Sequence, residues 1–298
     1  MNKLLARILI FTMLVTATPL VSFAEEKTTE APVANWIEEK FEGVPDAMTA
    51  TINNKLDGWG WGEAKGADGK LDIWVGDCSL EGDSLRVASR DWYKNVWTTL
   101  DLAQNGIVKH VAAGMPQAEA EALAATTLVK DTSISFTTRF EMQGVEADPS
   151  VHEQYIRVKG GSEQVVAELS VRGTELFVVG LNAAKNANEA YKVKDVQITK
   201  DNTDWHNIKI DLSQTRNAFR VTINGEVFKG SPHGEWIPCG SETGLVPSEP
   251  QAIETLTSME MGHFWSAWWG CLFMDNLVVT PVEEGFGGDP TPTDPPTP

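Results

Sequence analysis

Tryptophan is the residue type through which this chain could do chemistry at a surface. Trp59 and Trp61 alternate in the glycine-flanked run DGWGWGE, and Trp265, Trp268 and Trp269 crowd the segment HFWSAWWG. An exposed indole stacks on the apolar C–H face of a pyranose ring while neighbouring amides and carboxylates hydrogen-bond its hydroxyls, the usual mix of groups in a ligand site. A core absorbs most single tryptophans of a chain with eleven. Adjacent strand residues face opposite ways, however, so Trp268 and Trp269 cannot both be buried on one face. These five residues are the candidate carbohydrate-binding positions.

Other reactive types are placed less suggestively. Glu38 and Glu39 are neighbours and point apart on a strand, Glu119 and Glu121 sit in a helical context, and Glu260 in SMEMGH has no acid two or four residues on. Tyr155 and Arg157 share a face in EQYIRVKG, with His152 just upstream. His206 and His263 stand alone in strand-like surroundings. Zinc spacings, phosphate loops and nucleophile elbows are absent from the sequence. No catalytic residue is assigned on this basis.

The elements that must carry these residues are strands. In DWHNIKIDLSQTRNAFRVTINGEVF, Ile208, Ile210 and Leu212 share one face while Lys209 and Asp211 share the other, the period of a strand half buried and half wet. Phe219, Val221 and Ile223 repeat the pattern, and Asn224-Gly225 supplies the positive φ angles of a two-residue hairpin. Similar signals cover 71–75, 84–88, 96–102, 133–140, 155–158, 165–171, 175–179, 191–198 and 271–280. Only Met115 to Val129, with Pro116 at its start and QAEAEALAATTL behind it, reads as helix. The spacing implies an all-β fold class, an antiparallel sandwich or barrel with a short helical insertion.

The 298-residue chain opens on Lys3, Arg7 and an apolar run ending in Ser22-Phe23-Ala24, which reads as a signal peptide over 1–24. A polar spacer over 25–35, a folded domain over 36–282 and a Pro/Thr-rich disordered tail over 283–298 follow. The expected location is secreted, cell-surface or periplasmic, with no membrane insertion after cleavage. Losing the leader leaves 22 basic against 42 acidic residues, a surface that repels nucleic acid and anionic membranes. Of the cysteines Cys78, Cys239 and Cys271, the odd count leaves at least one unpaired within the molecule. Cys239 with Cys271 is the candidate disulfide because both lie in the aromatic-rich C-terminal third, although connectivity does not follow from sequence alone.

Together the entry IEEKFEG at 37–43, the middle WHNIKIDL…FRVTING and the exit FMDNLVV at 273–279 resemble the concanavalin A-like lectin/glucanase superfamily, in its laminin-G-like form, and the resemblance implies a jelly-roll sandwich of two antiparallel sheets. The resemblance implies a structural calcium ion between first and last strands, with Glu42 and Asp275 as ligands and Asp83 as a weaker third; hard oxygen ligands suit that ion. Glucanases of this kind carry an E-x-D-x-x-E strand whose carboxyls lie about 5 Å apart for retaining hydrolysis, and this chain lacks it. Lyases on similar jelly rolls use a Tyr and His with a neutralising Arg, Gln or Asn, which Tyr155, Arg157 and His152 match only in part. The leading expectation is a non-catalytic, lectin-like module for an extracellular glycan. The alternatives are a hydrolase or lyase with unrecognised catalytic residues, and a structural or adhesive domain.

Overall fold

The computed structural model describes residues 35–41, 65–66, 72–77, 83–89, 94–142, 153–161, 164–182, 185, 187–198, 204–240, 253–266 and 270–287. In chain order the strands are β1 (Ile37–Glu39), β2 (Lys65–Gly66), β3 (Asp72–Asp77), β4 (Asp83–Ser89) and β5 (Lys94–Asp101), followed by helices α1 (Leu102–Ala112) and α2 (Gln117–Thr127). Then come β6 (Thr132–Met142), β7 (Glu153–Gly160), β8 (Gln164–Arg172), β9 (Glu175–Asn182), β10 (Ala187–Gln197) and β11 (His206–Ser213). The last are β12 (Ala218–Ile223), β13 (Glu226–Val227), β14 (Ile237–Pro238), β15 (Ser258–Ser266) and β16 (Gly270–Pro281).

They form an all-β sandwich of two antiparallel sheets, as expected. The nine-stranded sheet runs β13-β12-β11-β6-β16-β4-β3, with β1 on β16 and β14 on β12, and the seven-stranded sheet runs β10-β9-β8-β7-β15-β5-β2. Period-2 side chains make the core between them: Ile134, Phe136, Ile208, Ile210, Phe219 and Val221 from one sheet meet Ile156, Val158, Leu169, Val178, Met259 and Met261 from the other. Asn224 and Gly225 have φ of 51° and 85° and close the β12–β13 hairpin, and Asn224 Oδ1 accepts the Asn207 N–H at 2.9 Å.

Three expectations need correcting. Asp211 is not on a wet face: it is 1% exposed, because β6 and β12 flank its strand and place Ser133 and Arg220 opposite it. The Ser133 hydroxyl donates at 2.9 Å and Arg220 Nη2 at 2.7 Å. Next, α1 precedes the expected helix. Asp101 caps it by accepting the Gln104 N–H, and the Asn105-Gly106 pair, which looks like a turn, is interior because Asn105 donates to the Asp101 carbonyl. Finally, the chain does not leave the fold at Glu283. Val282 N–H donates to the Asp131 carbonyl, Phe286 N–H to the Asp131 carboxylate, and Arg216 to the carbonyls of Phe286 and Gly287. The Phe286 ring packs on Trp236 with centroids 5.5 Å apart.

Trp36 bolts the chain entry to α1. Its indole N–H donates to the Leu102 carbonyl at 2.8 Å, and its ring stacks on His110 at 4.8 Å. A Cβ on Gly106 would lie 2.0 Å from that ring. Replacing an exposed helical glycine by alanine gains up to about 1 kcal/mol; here overpacking outweighs the gain, and Gly106→Ala is expected to lower stability by about 1–3 kcal/mol in thermal or urea unfolding.

His206 faces inward from β11. Because Asn224 Oδ1 holds the Asn207 N–H, its amide nitrogen points at His206 Nδ1, 3.2 Å away, so Nδ1 is the acceptor. Burial lowers the His206 pKa below its ordinary 6.5, outweighing the pull of Asp204, and burial lowers that of His233 in the same direction. The unfolded chain then binds more protons, so stability is full above about pH 6.5 and falls as pH drops toward the folded-state value. Urea unfolding at stepped pH is expected to show this slope, reduced but not abolished in His206→Asn.

Candidate functional site

Alternation on three central strands of the seven-stranded sheet builds the site. Ile156 and Val158 of β7, Leu169 and Val171 of β8, and Met259 and Met261 of β15 enter the core. The residues between them point to the other face, which β7 fills with Tyr155, Arg157 and Lys159, β8 with Glu168 and Ser170, and β15 with Ser258, Glu260 and Gly262. Register aligns these in transverse rows. Glu260 opposes Arg157, which opposes Glu168. In the next row Trp97 of β5 opposes Gly262, Gly262 opposes Tyr155, Tyr155 opposes Ser170, and Ser170 opposes Phe177 of β9.

The first row is a chain of ion pairs. Arg157 Nε donates to Glu168 Oε2 at 2.9 Å, Arg157 Nη1 lies 3.7 Å from Glu260 Oε1, and Lys159 Nζ donates to Glu260 Oε2 at 2.8 Å. The guanidinium also covers the Tyr155 ring, 3.9 Å from its centroid, and the phenol is hydrogen-bonded to Glu260. Burial, and then the Glu260 charge, push the Tyr155 phenol above its usual range in spite of Arg157. Tyr155 therefore keeps its proton and acts as a donor at neutral pH. Two cations and two carboxylates leave the row without formal net charge. Its floor is closed, with Tyr155 1%, Arg157 4%, Glu168 1% and Glu260 6% exposed, while Trp97, Lys159 and Phe177 are half-buried at its borders.

Of the positions expected from sequence, Trp265 falls within β15, the strand of Glu260. Trp59, Trp61, Trp268, Trp269, His152, Glu42 and Cys78 lie outside the described residues. Asp83 opens β4, and Asp275 lies mid-way along the neighbouring β16, opposite Thr137 of β6; because Met274 opposes Leu85, the register brings Asp275 within one residue of the level of Asp83. The Asp275 carboxylate accepts the Asn276 N–H at 2.7 Å. Among the described residues no three His, Cys, Asp or Glu side chains converge as a metal group.

The Cys239–Cys271 pairing is not formed; both are free thiols. Cys271 opposes Glu141 near one end of β6. Cys239 follows β14, which pairs the start of β12, and that start is aligned through β11 with the opposite end of β6. The two cysteines are thus separated by most of the strand length and by three strands, β6, β11 and β12. Cys271 Sγ instead accepts from Arg86 Nε and Nη2 at 3.2 and 3.0 Å.

Trp97, Lys159 and Glu168 carry site chemistry that no sequence motif marks, and Glu260 lacks the same-strand partner by which a motif would show it. A signal for Glu168 exists, since a lone acid inside the apolar run VVAELSV is stable there only if a neighbouring strand pairs it.

No protein-family model matches the chain, and no curated protein matches it. Solved structures similar to it include the cellulose-induced protein Cip1, with 11% identity over 82% of this chain and 96% of that one at a TM-score of 0.45. A family 7 alginate lyase follows at 9% identity, 72% and 86% coverage and 0.41, and a sialidase at 8% identity, 85% coverage and 0.40. The chain spans 20% of the sialidase's length. Scores this low leave the fold to be read from the sheets themselves and the chemistry from the side chains.

Arg157 is the cation that lies between the two buried carboxylates. Arg157→Ala is expected to cost about 3–5 kcal/mol in chemical denaturation, the usual result of breaking a buried pair from one side. Adding Glu168→Gln to that variant should recover part of the loss, because the orphaned charge is removed with its partner.

Proposed function

We propose that the protein binds a glycan across the outer face of the seven-stranded sheet and does not cleave it. The observation that carries this is the row Trp97–Gly262–Tyr155–Ser170–Phe177 beside the neutral row Glu260–Arg157–Glu168. Aromatic and small residues alternate across five strands, so successive rings stand two strand spacings, about 10 Å, apart. A sugar polymer running across the strands would meet the half-buried Trp97, Phe177 and Lys159 over the floor that Tyr155, Arg157 and the two carboxylates close. The absence of formal net charge in the ion-pair row suits neutral hydroxyls better than a polyanion. Export of the chain and a calcium ion near Asp83 and Asp275 belong to the same proposal. Their support is the apolar leader and the register that brings Asp275 of β16 within one residue of the level of Asp83 on the adjacent β4.

A second reading, a carbohydrate-cleaving enzyme, is favoured by one feature: Tyr155, Arg157, Glu168 and Glu260 gather on one face although no two carboxylates share a strand. Proton transfer and charge neutralisation both have candidate groups there.

Affinity electrophoresis and calorimetry against a panel of neutral and acidic polysaccharides separate the readings when run with reducing-end and unsaturated-product assays. Binding to a neutral glycan, weakened at least about tenfold in Trp97→Ala, with no product formed, is the expected outcome. Product formation that is lost in Glu260→Gln and Glu168→Gln would replace binding by catalysis. Silence in every arm would remove sugar from the account.

A further inference from the structure

At the opposite side of the seven-stranded sheet from Trp97, the edge strand β10 and the edge hairpin β12–β13 of the other sheet enclose a cleft of about 500 Å³. That volume is within the range of small-molecule sites, and the cleft begins one strand beyond the end of the aromatic row, where Lys192 opposes Phe177. Its walls are consecutive runs, 192–196 and 226–230, so strand edges line it.

The shape argues for a small ligand. The β10–β9 ladder breaks between Lys192 and Gln197, and Asp195 within the break has φ of 62°. A bulged edge of this kind cannot continue a regular ladder, which disfavours an added peptide strand. The end near Gly230 is tight: a Cβ there would lie 2.5 Å from the Phe228 ring and 3.5 Å from the Lys192 carbonyl. A polymer passing straight through would need that end open.

The chemistry of the lining is two-sided. Val193, Ile223 and Phe228, at 6%, 6% and 8% exposed, belong to the hydrophobic core and border the cleft. Lys192, Lys194 and Lys229 rise around it, against Asp195 and Glu226. In a chain with 24 basic and 42 acidic residues, a hollow lined by three lysines and two carboxylates reverses the overall ratio. Lys192 pairs with Glu175 and Lys229 with Glu235, but these pairs are solvent-exposed and worth little, so the ammonium groups can turn to a ligand. We infer that this cleft is a second binding site, for a small amphipathic anion whose apolar body meets Val193, Ile223 and Phe228 while its carboxylate or sulfonate meets Lys194 and Lys229.

The full chain can be tested with 1-anilinonaphthalene-8-sulfonate, an apolar dye with one anionic group, and with N-phenyl-1-naphthylamine, its neutral counterpart. The sulfonate is expected to saturate one site on the native protein and to bind at least about tenfold more tightly than the neutral dye. Lys194→Glu/Lys229→Glu should weaken the sulfonate at least about tenfold and leave the neutral dye unchanged. Val227→Trp, which fills the cleft from the exposed hairpin, should abolish binding of both without changing the melting temperature. Trp97→Ala should leave the sulfonate site intact. No fluorescence on the native protein, equal affinity for both dyes, or sulfonate binding indifferent to Val227→Trp would each overturn the proposal.

Discussion

Arg157 is the charge on which the outer face of the seven-stranded sheet depends. Two carboxylates that are 1% and 6% exposed flank it, in a place where an isolated buried charge costs several kcal/mol even after relaxation. The guanidinium serves both because its strand lies between theirs and the register puts the three residues opposite one another. It also caps the Tyr155 ring, whose phenol is tied to Glu260. A slip of one residue in β7 would turn all of these groups to the core face, so hydrophobic packing of Ile156 and Val158 is what fixes the polar row.

The same coupling of packing to polar contact recurs at both ends of the chain. Trp36 sits against Gly106 and bonds the Leu102 carbonyl, which fastens β1 and the α1 start together. At the other end Asp131 takes backbone donors from Gln214, Val282 and Phe286, and Arg216 and Arg220 stack over Trp236 at 4.8 and 4.9 Å. Residues 282–287 are held by Asp131, which immediately precedes β6, and by Arg216 and Trp236 beyond β11, so their position depends on the register of these central strands.

Alternation and turn chemistry make the β11–β12–β13 meander legible in the residues alone, down to the positive φ of Asn224 and Gly225. The same alternation misplaces Asp211, because its partners come from β6 and β12, one of them 78 residues away. The site is hidden for the same reason. Glu168 lies 11 residues from Arg157, and Glu260 lies 101 from Lys159, so no local pattern joins them. β15 is masked in the sequence, although Met259 and Met261 alternate with Glu260 and Gly262, since the tryptophans that follow dominate the segment. α1 is disguised by Asn105-Gly106, a pair placed in a helix by the Asn105 bond to the Asp101 carbonyl and by Trp36 lying across Gly106. Local rules read strands and turns; the pairing of strands distant in sequence, which makes the site, is written in registers that no window contains.

Position within the sheet also sets what kind of ligand each region can discriminate. β7, β8 and β15 are each paired on both sides, so the side chains of the ion-pair row are held by ladders, by a packed core beneath and by one another. Groups fixed in that way favour a ligand whose hydroxyls match their spacing and resist one whose hydroxyls do not. Lys192 and Lys194 of the β10 cleft stand on an edge strand with a broken ladder, Lys229 follows β13, and all three side chains are exposed. They can follow an anion over several ångströms but cannot enforce its orientation. A rigid, neutral, hydrogen-bonding face and an adaptable, cationic, apolar-floored hollow are therefore two different selectivities. Both derive from one topological fact, which strands have neighbours on both sides and which do not.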